Sequence, residues 1–179
     1  MSIAAEHLLE IREMVKDHLA HHDPLTNLPN RLLFVDRLEH ALDKSRRDGS
    51  LCALLFLDLD RFKKINDTLG HPAGDEVLQI MARRLRQSVR ASDTVARLGG
   101  DEYVVILAEL DEPGDAARVA RKILDSVTEP FTLATQEVYV SVSIGIALFP
   151  QDAADATTLI KHADAAMYMA KDQGRNNYQ

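Results

Sequence analysis

Two neighbouring carboxylates follow a double-glycine turn in segment 97–103, which reads RLGGDEY. The residues on either side of the turn are mostly β-branched or apolar, and this predicts the two strands of a hairpin. Gly99 and Gly100 can adopt the positive φ angles that tight hairpin turns require. The turn would present Asp101 and Glu102 together as oxygen ligands for a metal ion. For this motif alone, an acidic surface hairpin is the simpler interpretation.

A second acidic motif upstream favours the metal site. Residues 54–57 form an apolar run typical of a strand buried on both faces, and the run stops at Asp58. Ligand crevices of open α/β sheets lie outside the carboxyl ends of strands, where an isolated buried charge is costly. Mg²⁺ would offset this cost, because it binds oxygen ligands and commonly shares them with substrate phosphates. We interpret Asp60 instead as a cap of the short helix that starts near Arg61.

The chain resembles the GGDEF domains, the catalytic domains of diguanylate cyclases. Four ordered motifs carry the resemblance, which spans residues 23–177, and they lie at 23–31, 58–75, 99–102 and 163–176. Two residues depart from the family pattern. Tyr103 replaces the phenylalanine of the signature and makes this a GGDEY variant, and Asn27 stands where the entrance motif usually has glycine. Neither departure touches a group that binds metal or phosphate in the family.

The resemblance implies a site in which two Mg²⁺ ions, or Mn²⁺ as an alternative, bind the triphosphate of GTP. The implied metal ligands are Asp58, the Leu59 carbonyl, Asp101 and Glu102. Asp101 and Glu102 are the expected catalytic residues, and Asp101 would be the base that activates the ribose 3′-hydroxyl. Polarisation of the hydroxyl by a metal ion explains the same deprotonation equally well.

The resemblance also implies contacts to the rest of the substrate. Asn66 and Asp75 would recognise guanine, because a carboxylate can accept hydrogen bonds from guanine N1–H and the exocyclic amine, a donor pair that adenine lacks on that edge. The alternative for Asp75 is an ordinary acidic residue in the first turn of a helix. The implied phosphate ligands are the backbone amides of Phe62 and Lys63 and the side chains of Lys171 and Arg175. The last two could instead complement the dipole at a helix C-terminus.

A third set of positions matches the family's inhibitory site for the cyclic dinucleotide product. Arg90 and Asp93 form an Arg-x-x-Asp pair at the expected distance before the hairpin, and Arg121 would supply a second arginine. An arginine can stack on guanine or bind a phosphate, while an aspartate accepts from guanine N1–H and the amine. The alternative for Arg90 and Asp93 is a simple surface salt bridge.

Hydrophobic periodicity predicts an α+β fold. The helices are expected at about 3–20, 30–47, 73–89, 115–127 and 156–172, with a short helix near 61 and a second hairpin turning at 135–137. The segment 138–146 alternates apolar residues with small or polar ones, so it should form one strand with one apolar face. The order β-α-β-β-α-β predicts a ferredoxin-like palm with a mainly antiparallel central sheet flanked by helices. In the family, this arrangement is similar to the palm of nucleotidyl cyclases and polymerases.

Composition is consistent with one soluble domain. At 179 residues the chain is short for two domains, so we expect a linker helix at 1–20 and a GGDEF domain at 21–179. A net charge of −7 argues against a nucleic-acid surface, and no apolar stretch predicts membrane contact. Cys52 should be a packed thiol in the buried strand. We expect a cytoplasmic domain from a larger protein, which could be a membrane-bound or multidomain sensor.

The leading helix is expected to mediate dimer formation. Ala4, Leu8, Ile11, Val15 and His18 recur at steps of three and four residues, which would make a narrow seam for a partner helix. The alternative is a helix that folds back on its own domain. A homodimer fits the family, because a diguanylate cyclase must bring two GTP-loaded sites face to face.

Three functions follow from the resemblance. The first is an enzyme that condenses two GTP into cyclic di-GMP and two pyrophosphates, with product inhibition at the Arg-x-x-Asp site. The others are a GTP-binding regulatory module of a composite GGDEF–EAL protein and a receptor for cyclic di-GMP. Asp58, Asp101 and Glu102 together favour the enzyme, because a receptor would not need all three carboxylates.

Overall fold

A computed structural model describes residues 3–134 and 136–179, without the side chains of residues 3–6, 9 and 10. The helices are α1 (Ile3–His21), α2 (Arg31–Asp48), α3 (Phe62–Leu69), α4 (His71–Ser88), α5 (Gly114–Thr128) and α6 (Ala156–Asp172). The strands are β1 (Leu51–Leu59), β2 (Thr94–Gly99), β3 (Glu102–Leu110), β4 (Phe131–Thr132), β5 (Glu137–Val138) and β6 (Val142–Phe149).

The central sheet has four antiparallel strands in the order β2-β3-β1-β6. With α3 and α4 between β1 and β2, and α5 before β6, this is the predicted ferredoxin-like arrangement. β4 and β5 form a separate two-stranded hairpin. Its predicted turn includes Thr135, which lies outside the described residues. The antiparallel central sheet and its flanking helices confirm the α+β prediction. β1, the strand that carries Asp58, lies in the interior of the sheet.

Hydrophobic clusters cover both faces of the sheet. Leu55 and Leu57 of β1 belong to one cluster with α4 and α5, whereas Leu54 and Phe56 belong to another with α2 and α6. Because successive side chains of a strand point to opposite faces, Asp58 continues the series that faces α6. Burial of β1 on both faces confirms the interpretation of its apolar run.

The prediction of one continuous strand over 138–146 was wrong. The chain leaves the small hairpin after Val138 and enters the central sheet only at Val142. The small, polar face predicted for this segment is buried, since Ser143 is fully buried. A Cβ atom at Gly145 would lie 2.0 Å from the Ala163 carbonyl oxygen. Small residues on this face therefore allow α6 to pack directly on β6.

The interpretation of Asp60 as a helix cap was also wrong. α3 follows Arg61, and no side chain of the described residues caps it. The buried Asp60 carboxylate instead accepts hydrogen bonds from the hydroxyls of Ser141 and Ser143, both at 2.6 Å, and from the Asn176 amide at 3.2 Å. Asp60 thus connects the end of β1 to β6 and to the segment after α6.

α1 does not fold back over the sheet along its apolar side. Leu8, Ile11 and Val15 are 68%, 44% and 53% exposed. The side chain of Ala4, the first residue of the predicted seam, lies outside the described residues. At the other end of α1, Nε2 of His18 lies 2.7 Å from Oδ1 of Asn27. Asn27 has a φ of 58°, a left-handed conformation that asparagine tolerates better than most residues and that explains the usual glycine.

Candidate functional site

The strand register brings the two acidic motifs together. Asp58 of β1 lies directly opposite Glu102 of β3. The Leu59 amide donates to the Asp101 carbonyl oxygen at 3.3 Å, which joins the end of β1 to the double-glycine turn. The four predicted metal-ligand positions therefore meet at one end of the sheet.

Lys171 reaches this acidic site from the last turn of α6. Its Nζ lies 2.9 Å from Oδ2 of Asp58, and both side chains are mostly buried, at 23% and 12% exposed. Burial raises the pKa of Asp58 to about 6; the Lys171 contact opposes this rise, and the nearby Asp101 carboxylate adds to it. Burial, followed by the charges of Asp58 and Asp164, also raises the pKa of Glu102. The site holds more negative charge than Lys171 balances, so a further cation would be favourable there.

The donor set suits a hard divalent cation. No group of three or more His, Cys, Asp and Glu side chains within 3–134 and 136–179 is arranged to hold a metal by itself. Magnesium does not need such a cage, since it is usually bound through one or two carboxylates and substrate phosphates. Asp58 and Glu102 supply adjacent carboxylates with raised pKa values, which fits this mode of binding.

The N-terminus of α3 lies immediately after the β1 carboxylates. Phe62 and Lys63 are its first two residues, so their amide N–H groups have no partner within the helix. Such groups, at the positive end of the helix dipole, are suited to bind phosphate oxygens. The predicted amide donors are thus placed next to the metal-ligand positions.

The two predicted guanine-binding residues are positioned by the contact between α3 and α4. Asn66 is on α3, and its side chain fills the space that a Cβ atom of Gly74 would occupy. Asp75 is the next residue of α4 and is exposed. Asn66 and Asp75 therefore lie close to the contact between α3 and α4, the two helices that follow β1.

Arg97 fixes the double-glycine turn, a role that the sequence analysis missed. Its guanidinium donates from Nε and Nη2 to the Gly100 carbonyl oxygen at 3.0 and 2.7 Å, and from Nη1 to Oδ1 of Asp23 at 2.8 Å. Asp23 also accepts from the amide and the hydroxyl of Thr26. Arg97 and Asp23 both lie in or beside motifs that the sequence showed. Their pairing spans 74 residues, so no local pattern could reveal it.

Tyr103, the variant residue of the signature, packs in the hydrophobic core. The ring is fully buried on the α4 and α5 side of the sheet. Its hydroxyl donates to the Leu78 carbonyl oxygen of α4 at 2.8 Å, and burial raises the pKa of the phenol. The side chain points away from Asp58, so it supports the hairpin without entering the acidic site.

Arg90 and Asp93 lie in the turn between α4 and β2. Asp93 accepts from the Arg90 amide at 2.9 Å and from the Ala108 amide at 3.3 Å, so its carboxylate holds this turn against β3. No ion pair between the Arg90 and Asp93 side chains is found among the described residues. Both residues line a cavity of about 270 Å³ on one side and another of about 520 Å³ on the other.

Arg121 does not line either of these cavities. Its Nη2 donates to the Tyr178 hydroxyl at 3.1 Å, near the end of the chain. The cations of α5 that line the cavity with Arg90 and Asp93 are Arg118 and Lys122. Their spacing of four residues puts both side chains on one face of α5. The sequence analysis did not single out this pair.

Comparison with known proteins decides the family. The family described as "Diguanylate cyclase, GGDEF domain" matches residues 20–177. The chain belongs to the GGDEF family. This match confirms the resemblance stated from the sequence and extends over α2 to α6.

Two similar proteins are signalling proteins longer than this chain. It is 52% identical over 167 residues to the bifunctional diguanylate cyclase/cyclic di-GMP phosphodiesterase MucR of Pseudomonas aeruginosa, covering 93% of this chain and 24% of MucR. It is 50% identical over 161 residues to diguanylate cyclase TpbB of the same species, covering 89% of this chain and 37% of TpbB. The chain thus spans well under half of either relative.

Solved structures agree with this fold. The GGDEF domain of TpbB superposes with a TM-score of 0.86 at 50% identity, covering 87% of this chain and 91% of that one. The coiled coil and GGDEF domain of DgcB from Caulobacter crescentus, solved in complex with c-di-GMP, gives a TM-score of 0.84 at 30% identity, covering 97% and 92%. None of the helices in the described part of this chain is long and apolar enough to cross a membrane.

Proposed function

We propose that this GGDEF domain is a diguanylate cyclase, a nucleotidyltransferase that condenses two GTP into cyclic di-GMP and two pyrophosphates. The observation that carries the proposal is the register of Asp58 opposite Glu102, with Lys171 at the same carboxylate. A domain that only bound a cyclic dinucleotide at Arg90 would gain nothing from this costly concentration of buried charge. The diguanylate cyclase activity of TpbB, 50% identical, supports the same conclusion.

The metal ligands in this proposal are Asp58, the Leu59 carbonyl, Asp101 and Glu102, with Mg²⁺ or Mn²⁺ as the ion. A bound divalent ion would polarise the reacting oxygens and neutralise charge that develops on the phosphates. Burial raises the pKa of both Asp58 and Glu102, and a bound cation would favour their charged forms. Each residue therefore serves to hold positive charge against the triphosphate.

The remaining residues orient and neutralise the substrate. The amides of Phe62 and Lys63 bind phosphate oxygens at the start of α3, and Lys171 and Arg175 add positive charge. As the ribose 3′-oxygen forms its bond to the α-phosphorus, the bond to the bridging oxygen breaks and pyrophosphate leaves with that electron pair. Asp101 accepts the proton of the 3′-hydroxyl in this scheme.

Guanine recognition falls to Asn66 and Asp75. Asn66 packs against Gly74, the residue before Asp75, and in this proposal one base contacts both side chains. The Asp75 carboxylate accepts from N1–H and the exocyclic amine, which gives selectivity for GTP over ATP. Equal affinities of the protein for GTP and ATP in calorimetry would contradict this assignment.

Two copies are needed for the reaction, and α1 is the proposed contact. Its exposed apolar residues at 8, 11, 15 and 19 follow steps of three and four, as in a helix that pairs with another helix. The similarity to a structure that contains a coiled coil and a GGDEF domain supports this role. In this proposal residues 1–20 are the linker helix, and residues 21–179 are the cyclase domain of a larger cytoplasmic or membrane-anchored sensor.

Product inhibition is proposed at Arg90 and Asp93. The cavity that they share with Arg118 and Lys122 can accept the phosphates and guanine of cyclic di-GMP. Arg121 stays in the proposal as the second arginine, and Arg118 and Lys122 add positive charge at the cavity. Arg118 also pairs with Glu112 and Asp115 there. Arg90→Ala should remove inhibition by added cyclic di-GMP while single-turnover chemistry persists.

The decisive experiment is incubation with GTP and Mg²⁺ followed by chromatography for cyclic di-GMP. Asp58→Asn and Glu102→Gln should each abolish synthesis, whereas the matched control Asp125→Asn on the exposed face of α5 should leave it unchanged. Undiminished synthesis by Asp58→Asn would overturn the site. GTP binding without synthesis would instead favour a regulatory module of a composite protein, a function that the bifunctional relative MucR makes a specific alternative.

A further inference from the structure

A groove of about 690 Å³ lies beyond the C-terminal end of β1, between α3 and segment 136–141. Three cationic side chains line it from separate parts of the chain: Arg61 precedes α3, Lys64 lies within α3, and Arg175 follows α6. Arg175 is also a proposed ligand of the triphosphate. Arg175 therefore links the groove to the phosphate end of the proposed substrate site.

The three cations are available to a ligand. Within the described residues, the side chains of Arg61, Lys64 and Arg175 make no hydrogen bond or ion pair, in contrast to Arg97 and Lys171. Such a cluster is unusual in a chain whose net charge is −7. Since unpaired cations around one cavity repel each other, an anion bound among them would be stabilised.

Two acidic residues also line the groove, and neither neutralises it. Asp60 is buried, and its carboxylate already accepts from the Ser141 and Ser143 hydroxyls and the Asn176 amide. Glu137 is exposed at the edge, where solvent screens its charge. Arg61, Lys64 and Arg175 are exposed as well, so the described lining of the groove carries three positive side chains against two negative ones.

The backbone supports this arrangement on both sides of the groove. Arg61 and Arg175 have φ angles of 57° and 65°, in the left-handed region that arginine rarely adopts. Asn176, with a φ of 49°, is held by its amide hydrogen bond to Asp60. The same buried carboxylate thus fixes the segment that carries Arg175 next to the residue that precedes α3.

We propose that Arg61, Lys64 and Arg175 form a subsite for inorganic pyrophosphate, the group that leaves in the cyclase reaction. This inference rests on the proposed function. Pyrophosphate carries several charged oxygens, and arginine forks and a lysine ammonium are the donors that bind such oxygens best. Arg175 would contact the terminal phosphates of bound GTP, and Arg61 and Lys64 would receive the pyrophosphate once its bond to the α-phosphorus has broken.

Inhibition of cyclic di-GMP synthesis by added pyrophosphate, at fixed GTP and Mg²⁺, tests the subsite. The variant Arg61→Gln/Lys64→Gln removes both cations that lie outside the proposed GTP site and keeps polar side chains of similar length. Arg47→Gln/Lys161→Gln is the matched control, because it removes the same charge from exposed positions on α2 and α6. We expect the inhibition constant for pyrophosphate to rise at least tenfold in the groove variant and less than twofold in the control.

The outcomes separate this inference from the proposed function. Equal inhibition of the groove variant and the control would overturn the subsite, as would synthesis by the wild type that pyrophosphate does not inhibit. Neither result would affect the assignment as a cyclase. Absence of both synthesis and GTP binding would overturn the proposed function. Direct titration with pyrophosphate would then still test the groove, with loss of binding in Arg61→Gln/Lys64→Gln alone as the supporting result.

Discussion

Replacing Gly74 by alanine should separate guanine recognition from folding. A Cβ atom at position 74 would lie 1.9 Å from Oδ1 of Asn66 and 3.2 Å from Cζ of Phe62. Gly74 is helical and has no positive φ, so alanine suits its backbone. Because the closest atom is the end of a rotatable side chain, the Asn66 amide should turn away while α4 keeps its position.

The expected effect of Gly74→Ala on stability is smaller than its effect on GTP binding. Alanine is favoured over glycine in a helix by about 1 kcal/mol, which offsets the cost of about 0.5–1.5 kcal/mol for a displaced Asn66 rotamer. The free energy of unfolding should therefore change by less than about 1 kcal/mol. Loss of the Asn66 hydrogen bond to guanine would cost about 1–3 kcal/mol, which weakens GTP binding roughly 5- to 150-fold.

Calorimetry with GTP and ATP, together with urea unfolding, measures both effects. Gly114→Ala is the matched control, since the nearest atom to its new methyl group would be Oε1 of Glu112 at 3.9 Å. GTP affinity should fall in Gly74→Ala and stay unchanged in Gly114→Ala, while weak ATP binding should change little in either. Wild-type GTP affinity in Gly74→Ala would refute the role of Asn66, and an equal loss for both nucleotides would refute base-specific recognition.

Three further predictions concern buried groups. Asp60→Ala should lower the free energy of unfolding by about 2–5 kcal/mol, measured in urea, because two hydroxyls and the Asn176 amide lose a charged acceptor. Tyr103→Phe should cost only about 0.5–1.5 kcal/mol and leave synthesis near wild type, because the lost bond to the Leu78 carbonyl is neutral; a large loss of activity would contradict its placement. Since folding raises the pKa of Asp58 from 3.8 to about 6, the folded state binds this proton more tightly, and metal-free wild type should gain roughly 2.5 kcal/mol relative to Asp58→Asn as the pH falls from 7 to 4. Parallel stability curves for these two proteins would exclude the raised pKa.

Local patterns in the sequence determined the elements and the motifs of this protein. The apolar run that ends at Asp58 predicted a strand buried on both faces, because only a central strand can bury consecutive side chains. The bounds predicted for α6, 156–172, agree with the structure, since Asp155 caps its start and the chain turns at Gly174 after its end. The double glycine predicted the hairpin turn, because both residues adopt positive φ angles there.

Tertiary packing decided the partner of each charged group. Asp60 looked like a helix cap because capping is a local pattern, yet its partners Ser141 and Ser143 lie more than 80 residues away. Arg121 matched the family's position for a second inhibitory arginine, yet in the folded chain its guanidinium donates to the Tyr178 hydroxyl, and the α5 cations that line the cavity are Arg118 and Lys122. Periodicity specifies which residues share a face of an element, whereas the contacts of that face depend on how distant elements pack together.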